Sequence, residues 1–94
     1  MRAGKLNFGF ETVKAAVQNG SVYLLMTASD LSPKTAKETA FVAEKYAVAL
    51  LSLPVTMDEL RSAMGKKTGV LAVTDEGFAK RLKELYAVRE PQAL

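Results

Sequence analysis

Val22-Tyr23-Leu24-Leu25-Met26-Thr27-Ala28-Ser29-Asp30-Leu31-Ser32-Pro33 decides the fold class. Its first seven residues are apolar and β-favouring, a run too short for a helix and suited to a strand buried on both faces. A turn follows. Ser32 is a good helix N-cap, and Pro33 fits the first helical position, where its missing N–H would lack a partner anyway. The spacing predicts a helix from Pro33 to about Tyr46, with Ala36, Ala40, Ala43 and Ala47 forming a narrow small-residue stripe that Phe41 and Val42 widen.

The same grammar repeats in both directions. Downstream, Val48 to Leu53 reads as a second buried strand, stopped by Pro54. Thr56 and Glu59 match a capping box, so a short helix runs from Met57 to Met64 and ends at Gly65. A basic loop, Gly65-Lys66-Lys67-Thr68-Gly69, leads to a third buried strand, Val70 to Val73. Asp75 then caps a last helix expected to turn Phe78, Leu82, Leu85 and Tyr86 inward. Upstream, Lys5 to Phe8 is a brief edge strand. Phe10 to Asn19 places Val13, Ala16 and Val17 on one helical face and closes at Gly20. Alternation of helix and strand predicts a small, mostly parallel sheet with helices on both faces, a three-layer α-β-α sandwich. One domain is expected over residues 1–88, with a flexible tail over 89–94.

Composition narrows the function. The chain has 94 residues, 49% of them apolar and 24% charged, the balance of an ordinary globular domain. It contains no Cys and no His. Disulfides, thiolate chemistry, Cys-type zinc sites and the usual neutral-pH general base are therefore excluded. The expectation is an intracellular, cytoplasmic protein that is not an enzyme and holds no cofactor or metal. There is no apolar run of the ~18 residues a membrane helix needs.

Charge placement says more than the net +3. Lys34, Lys37, Lys45, Lys80, Arg81 and Lys83 are interleaved with acids on helix surfaces, the pattern of a solvated face. Arg2, Lys5, Lys14, Lys66 and Lys67 have few acidic neighbours and belong to the N-terminal segment and the Gly65–Gly69 loop. If those regions meet, they form one basic patch. The Gly65-Lys66-Lys67-Thr68 run is not a nucleotide phosphate loop, because Leu60 stands where that motif needs Gly and a helix precedes the run in place of a strand. Asp30, Asp58, Glu59, Asp75 and Glu76 are read as helix-start residues that favour the helix dipole.

The chain resembles the ribosomal protein L-seven-Ae/L-thirty-e superfamily, and within it the small bacterial YlxQ-type proteins. The resemblance rests on Arg2-Ala3-Gly4-Lys5-Leu6, Gly9, Ala28-Ser29-Asp30-Leu31-Ser32-Pro33, Glu59-Leu60, Gly65-Lys66 and the run from Ala72 to Lys80. It covers nearly the whole chain. It implies a non-enzymatic protein that binds structured RNA, a kink-turn or ribosomal RNA. In relatives the start of the first conserved helix meets tandem G·A pairs, and the loop before the last strand covers flipped-out bases. Those surfaces fall on Gly9, Phe10, Glu11, Thr12 and Lys14, and on Gly65, Lys66, Lys67 and Thr68.

This sequence also departs from the family pattern. Many relatives place Asn-Glu-x-x-Lys at the first site, where gap-free alignment puts Glu11, Thr12 and Ala15. Lys14 is one residue away, ~100° round the helix. Relatives also carry most of a helix ahead of the Arg2-Ala3-Gly4-Lys5 run, which implies a late start or a less covered sheet face here. The alternative reading is a protein-interaction or dimerisation module that kept the fold and lost kink-turn recognition.

Overall fold

Two short strands, β2 (Leu24–Thr27) and β4 (Val70–Val73), lie side by side at the centre of the molecule. The structure is a computed structural model and describes residues 6–65 and 68–86. Among the described residues the remaining elements are β1 (Leu6–Phe8), α1 (Phe10–Gln18), α2 (Pro33–Lys45), β3 (Ala49–Ser52), α3 (Met57–Met64) and α4 (Glu76–Leu85). The sheet order is β1-β4-β2-β3.

The starts of α2, α3 and α4 follow their local code. Ser32 accepts from the Thr35 N–H at 3.3 Å, and Asp75 accepts from the Phe78 N–H at 2.7 Å. Thr56 and Glu59 form the reciprocal capping box, at 3.1 and 2.9 Å. Asp30 acts at another helix than the one it precedes. Its Oδ1 accepts from the Met57 N–H at 2.9 Å, so it ties the end of β2 to the first turn of α3.

Three layers result. Leu24, Met26, Leu51, Leu71 and Val73 face Leu60 of α3 and Ala79, Phe78 and Leu82 of α4. Leu25, Val70 and Ala72 face Val13 and Val17 of α1 and Val42 and Ala43 of α2. Leu24, Leu25 and Leu71 are wholly buried, each contributing ~1.5–3 kcal/mol over an exposed position.

The sheet is mixed, which corrects the expectation of a mostly parallel one. Among the described residues only the β2–β3 pair is parallel, while β4 runs antiparallel to both β2 and β1. The reason lies in α3, which does not carry the chain back along the sheet. The segment before it is fixed at the end of β2 by the Ser29 N–H to the Val55 carbonyl at 2.7 Å. The segment after it returns to the same place, where the Ala28 N–H donates to the Gly69 carbonyl at 2.9 Å. β4 therefore starts where β2 ends and must run the other way.

Three side-chain expectations are also corrected. Phe41 is 65% exposed, Leu85 is 66% exposed and Tyr86 is 42% exposed, so none of them faces the core. The buried face of α2 runs through Thr39, Val42 and Ala43, so of the alanine stripe Ala43 is buried, Ala40 is half-buried, and Ala36 and Ala47 are exposed. Thr39 fits there because its hydroxyl donates to the Thr35 carbonyl at 2.8 Å within the helix. Ala47 lies beyond α2 with φ 56°, outside helical conformation. Among the described residues no helix is long and apolar enough to cross a membrane.

Candidate nucleic-acid interface

β1 and β4 are antiparallel neighbours with Phe8 opposite Leu71, so the end of β1 sits beside the start of β4. The chain leaves β1 through Gly9 and enters α1 at once. Gly9 has φ 90° and ψ 144°, a region open essentially to glycine alone. No atom lies within 4 Å of where its Cβ would be, so backbone conformation and not crowding requires the glycine.

Two acceptors hold Gly9 in this position. Its N–H reaches the Val70 carbonyl at 3.1 Å and the Thr68 Oγ1 at 3.2 Å. The Thr68 hydroxyl in turn donates to the Val70 carbonyl at 2.9 Å. Thr68 is 7% exposed, so it clamps the site from within and presents little surface of its own. The two residues are 59 positions apart in the chain. Through this link the start of α1 lies beside Thr68, the residue two positions before β4.

The loop is tied on its other side as well. A Cβ on Gly69 would run into Leu31 Cδ1 and Met57 Sδ, so glycine lets the strand entry press against the β2–α2 turn and α3. Gly65 ends α3, its N–H donating to the Arg61 carbonyl at 2.8 Å, and it is exposed. Lys66 and Lys67 lie outside the described residues, as do Arg2 and Lys5.

Along α1 the exposed positions are Glu11, Thr12, Lys14, Ala15 and Gln18, while Gly9 and Phe10 are half-buried. Gly9 gives the first turn no side-chain cap, unlike Ser32, Thr56 and Asp75 at the other three helices. The first-turn N–H groups of Phe10, Glu11 and Thr12 thus carry the positive end of the helix dipole with no side-chain acceptor from the cap residue. Glu11 adds a carboxylate in that turn, an acceptor for base N–H groups. Ala15 sits one turn behind Glu11 on the solvent side. Lys14 lies along a different line and borders the groove between α1 and α2 with Phe10 and Gln18.

Sequence reasoning passed over Arg61. It is exposed in the last turn of α3, one turn before Gly65, and adds a cation at the entry to the loop. The available signal was its position just ahead of a helix-ending glycine.

Comparison with known proteins bears on this arrangement. The chain matches the profile of the ribosomal protein L7Ae/L30e/S12e/Gadd45 family over residues 1–83. It is 35% identical over 85 residues to a protein of Enterococcus faecium named RNA-binding protein YlxQ, covering 90% of this chain and 82% of that protein. It is 33% identical over 89 residues to the protein of the same name from Bacillus subtilis (strain 168), covering 89% and 84%. A solved structure described as that of a protein with unknown function from Bacillus halodurans C superposes with a TM-score of 0.80 at 34% identity, covering 89% of this chain and 85% of that one. Fold and sequence agree: this chain belongs to the ribosomal protein L7Ae/L30e/S12e/Gadd45 family, among its YlxQ-type members.

Proposed function

We propose that this chain is a non-enzymatic RNA-binding protein that recognises structured RNA of the kink-turn type, such as a ribosomal RNA element. The observation that carries the reading is the Thr68–Gly9 link, which sets the open start of α1 against the loop before β4. In this reading Glu11, Thr12 and the first-turn N–H groups meet the edges of the G·A pairs. Gly65, Lys66 and Lys67 cover the bulged bases and their phosphates, and Thr68 holds that loop in place. Recognition of bent shape and unpaired bases is the mode that suits RNA. Lys14, Arg61, Arg2 and Lys5 supply phosphate neutralisation around the two surfaces.

The test is a gel-shift titration with a kink-turn RNA and a control in which Watson–Crick pairs replace the tandem G·A pairs. Tight binding that the control loses is expected. Log affinity should fall with log salt at about −0.7 to −0.9 per phosphate contact. Equal, weak binding to both RNAs refutes the reading. In that event a protein-interaction module leads, a second reading favoured by the exposed Tyr23, Leu85 and Tyr86.

A further inference from the structure

We propose that the groove between α1 and α2 is a stacking site for unpaired nucleotides that leave the structured RNA held at the start of α1. This inference rests on the RNA-binding reading and extends its surface. The groove has a volume of about 380 Å³. Two stripes at helical i, i+4, i+8 spacing face each other across it: Phe10, Lys14 and Gln18 on α1, and Lys37, Phe41 and Lys45 on α2. Val42 and Tyr46 complete the floor, and among the described residues Glu38 is the one carboxylate on the lining against Lys14, Lys37 and Lys45.

The chemistry of the lining selects the occupant. Phe41 is 65% exposed, its ring open to solvent between two lysines one turn away on either side. Tyr46 is half-buried, with the Lys45 ammonium 5.6 Å from its ring centroid. Aromatic faces flanked by cations accept base stacking and phosphate together, with little regard to sequence. An apolar helix from a partner would leave the three ammonium groups unmatched, whereas a nucleic-acid strand uses both features. Continuity gives direction as well. Phe10 opens α1 and Lys14 follows one turn on, so a strand leaving the Gly9–Thr12 surface enters the groove without crossing a gap.

The experiment compares a blunt kink-turn RNA with the same RNA carrying a five-nucleotide uridine extension, placed on each end in turn. A free uridine octamer is titrated separately and followed by NMR. The extension on one end is expected to tighten binding about tenfold. Phe41→Ala should abolish that gain and leave the blunt RNA unaffected, while Phe41→Trp should keep it. Lys37→Ala with Lys45→Ala should reduce the gain and its salt dependence. Blunt RNA that binds while neither extension helps overturns the groove proposal and leaves the proposed function standing. If neither kink-turn RNA binds, the octamer decides: resonance shifts confined to Phe10, Phe41 and Tyr46 support the groove while the kink-turn reading falls, and no shifts overturn both. Polyglutamate of equal charge that shifts the same resonances as strongly overturns stacking and makes an acidic protein segment the occupant.

Discussion

Replacing Thr68 by Val removes one hydroxyl and keeps the shape of the side chain. That hydroxyl accepts from the Gly9 N–H at 3.2 Å and donates to the Val70 carbonyl at 2.9 Å. The Gly9 N–H keeps a direct bond to the Val70 carbonyl at 3.1 Å, but the Val70 N–H, which donates to the same hydroxyl at 3.4 Å, loses that acceptor. The loss is then three hydrogen bonds, the one from the Val70 N–H being long, at ~0.5–1.5 kcal/mol net each, part of it offset by the more apolar methyl, or ~1–2 kcal/mol in all. In a chain of 94 residues each kcal/mol of this loss lowers the melting temperature by about 4–8 °C. With a stability of about 5–15 kcal/mol the variant stays almost fully folded at 25 °C, so a fall in RNA affinity there reports the site and not unfolding. Thr68→Ser is the matched control. It loses a methyl group worth ~0.8 kcal/mol and keeps the hydroxyl. Urea melts should show a loss in the Val variant at least as large as in the Ser variant, while gel shifts should show RNA affinity reduced in the Val variant alone. Equal RNA affinity in the two variants refutes the idea that this hydroxyl holds the α1 start and the loop together.

Four further outcomes follow from the same geometry. Gly9→Ala forces an L residue to φ 90° and ψ 144° and should cost ~1–3 kcal/mol in urea unfolding, with a loss of RNA affinity that exceeds the effect on fold. Ala47→Gly should stabilise by ~0.5–1 kcal/mol, read as a higher denaturation midpoint. Ala47 stands at φ 56° in a helix-ending motif whose Val48 N–H reaches the Ala43 carbonyl at 2.8 Å, and the equivalent motif after α1 uses Gly20 at φ 74°. Asp30→Ala removes the acceptor of the Met57 N–H and should destabilise by ~0.5–2 kcal/mol, whereas Asp30→Asn should lose less, a contrast measurable by thermal melts. Ala15→Lys places a cation one turn behind Glu11 and should tighten kink-turn binding by ~1–2 kcal/mol, or roughly five- to thirtyfold, in a gel-shift titration.

The helix starts were legible because their signals are local. Ser32 with Thr35, Thr56 with Glu59 and Asp75 with Phe78 each act within three residues of chain, so residue type and spacing alone specify them. The buried strands were legible for a similar reason, since Leu24-Leu25-Met26 and Val70 to Val73 have no polar face to give to solvent. Two-sided burial marks a central strand but carries no direction. Parallel and antiparallel ladders use the same backbone groups, and β4 runs antiparallel because both ends of the α3 segment are tied to the end of β2. The outward face of α2 was hidden because Thr39 satisfies its own hydroxyl within the helix and packs as an apolar residue, which turns Phe41 away from the core.

The candidate site divides in the same way. Gly9, the basic loop and the family motifs are visible in the residues themselves. The contact of Gly9 with Thr68 is not, because it depends on backbone hydrogen bonds between β1 and β4 and on one hydroxyl acting across 59 positions of chain. Local propensity and patterning act over a turn of helix or a few residues of strand, and they mark each element of this protein to within a few residues of its bounds. Where the elements meet depends on long-range backbone pairing, which any side chain permits, so only the folded chain could place Gly9 against Thr68 and Lys14 beside Phe41.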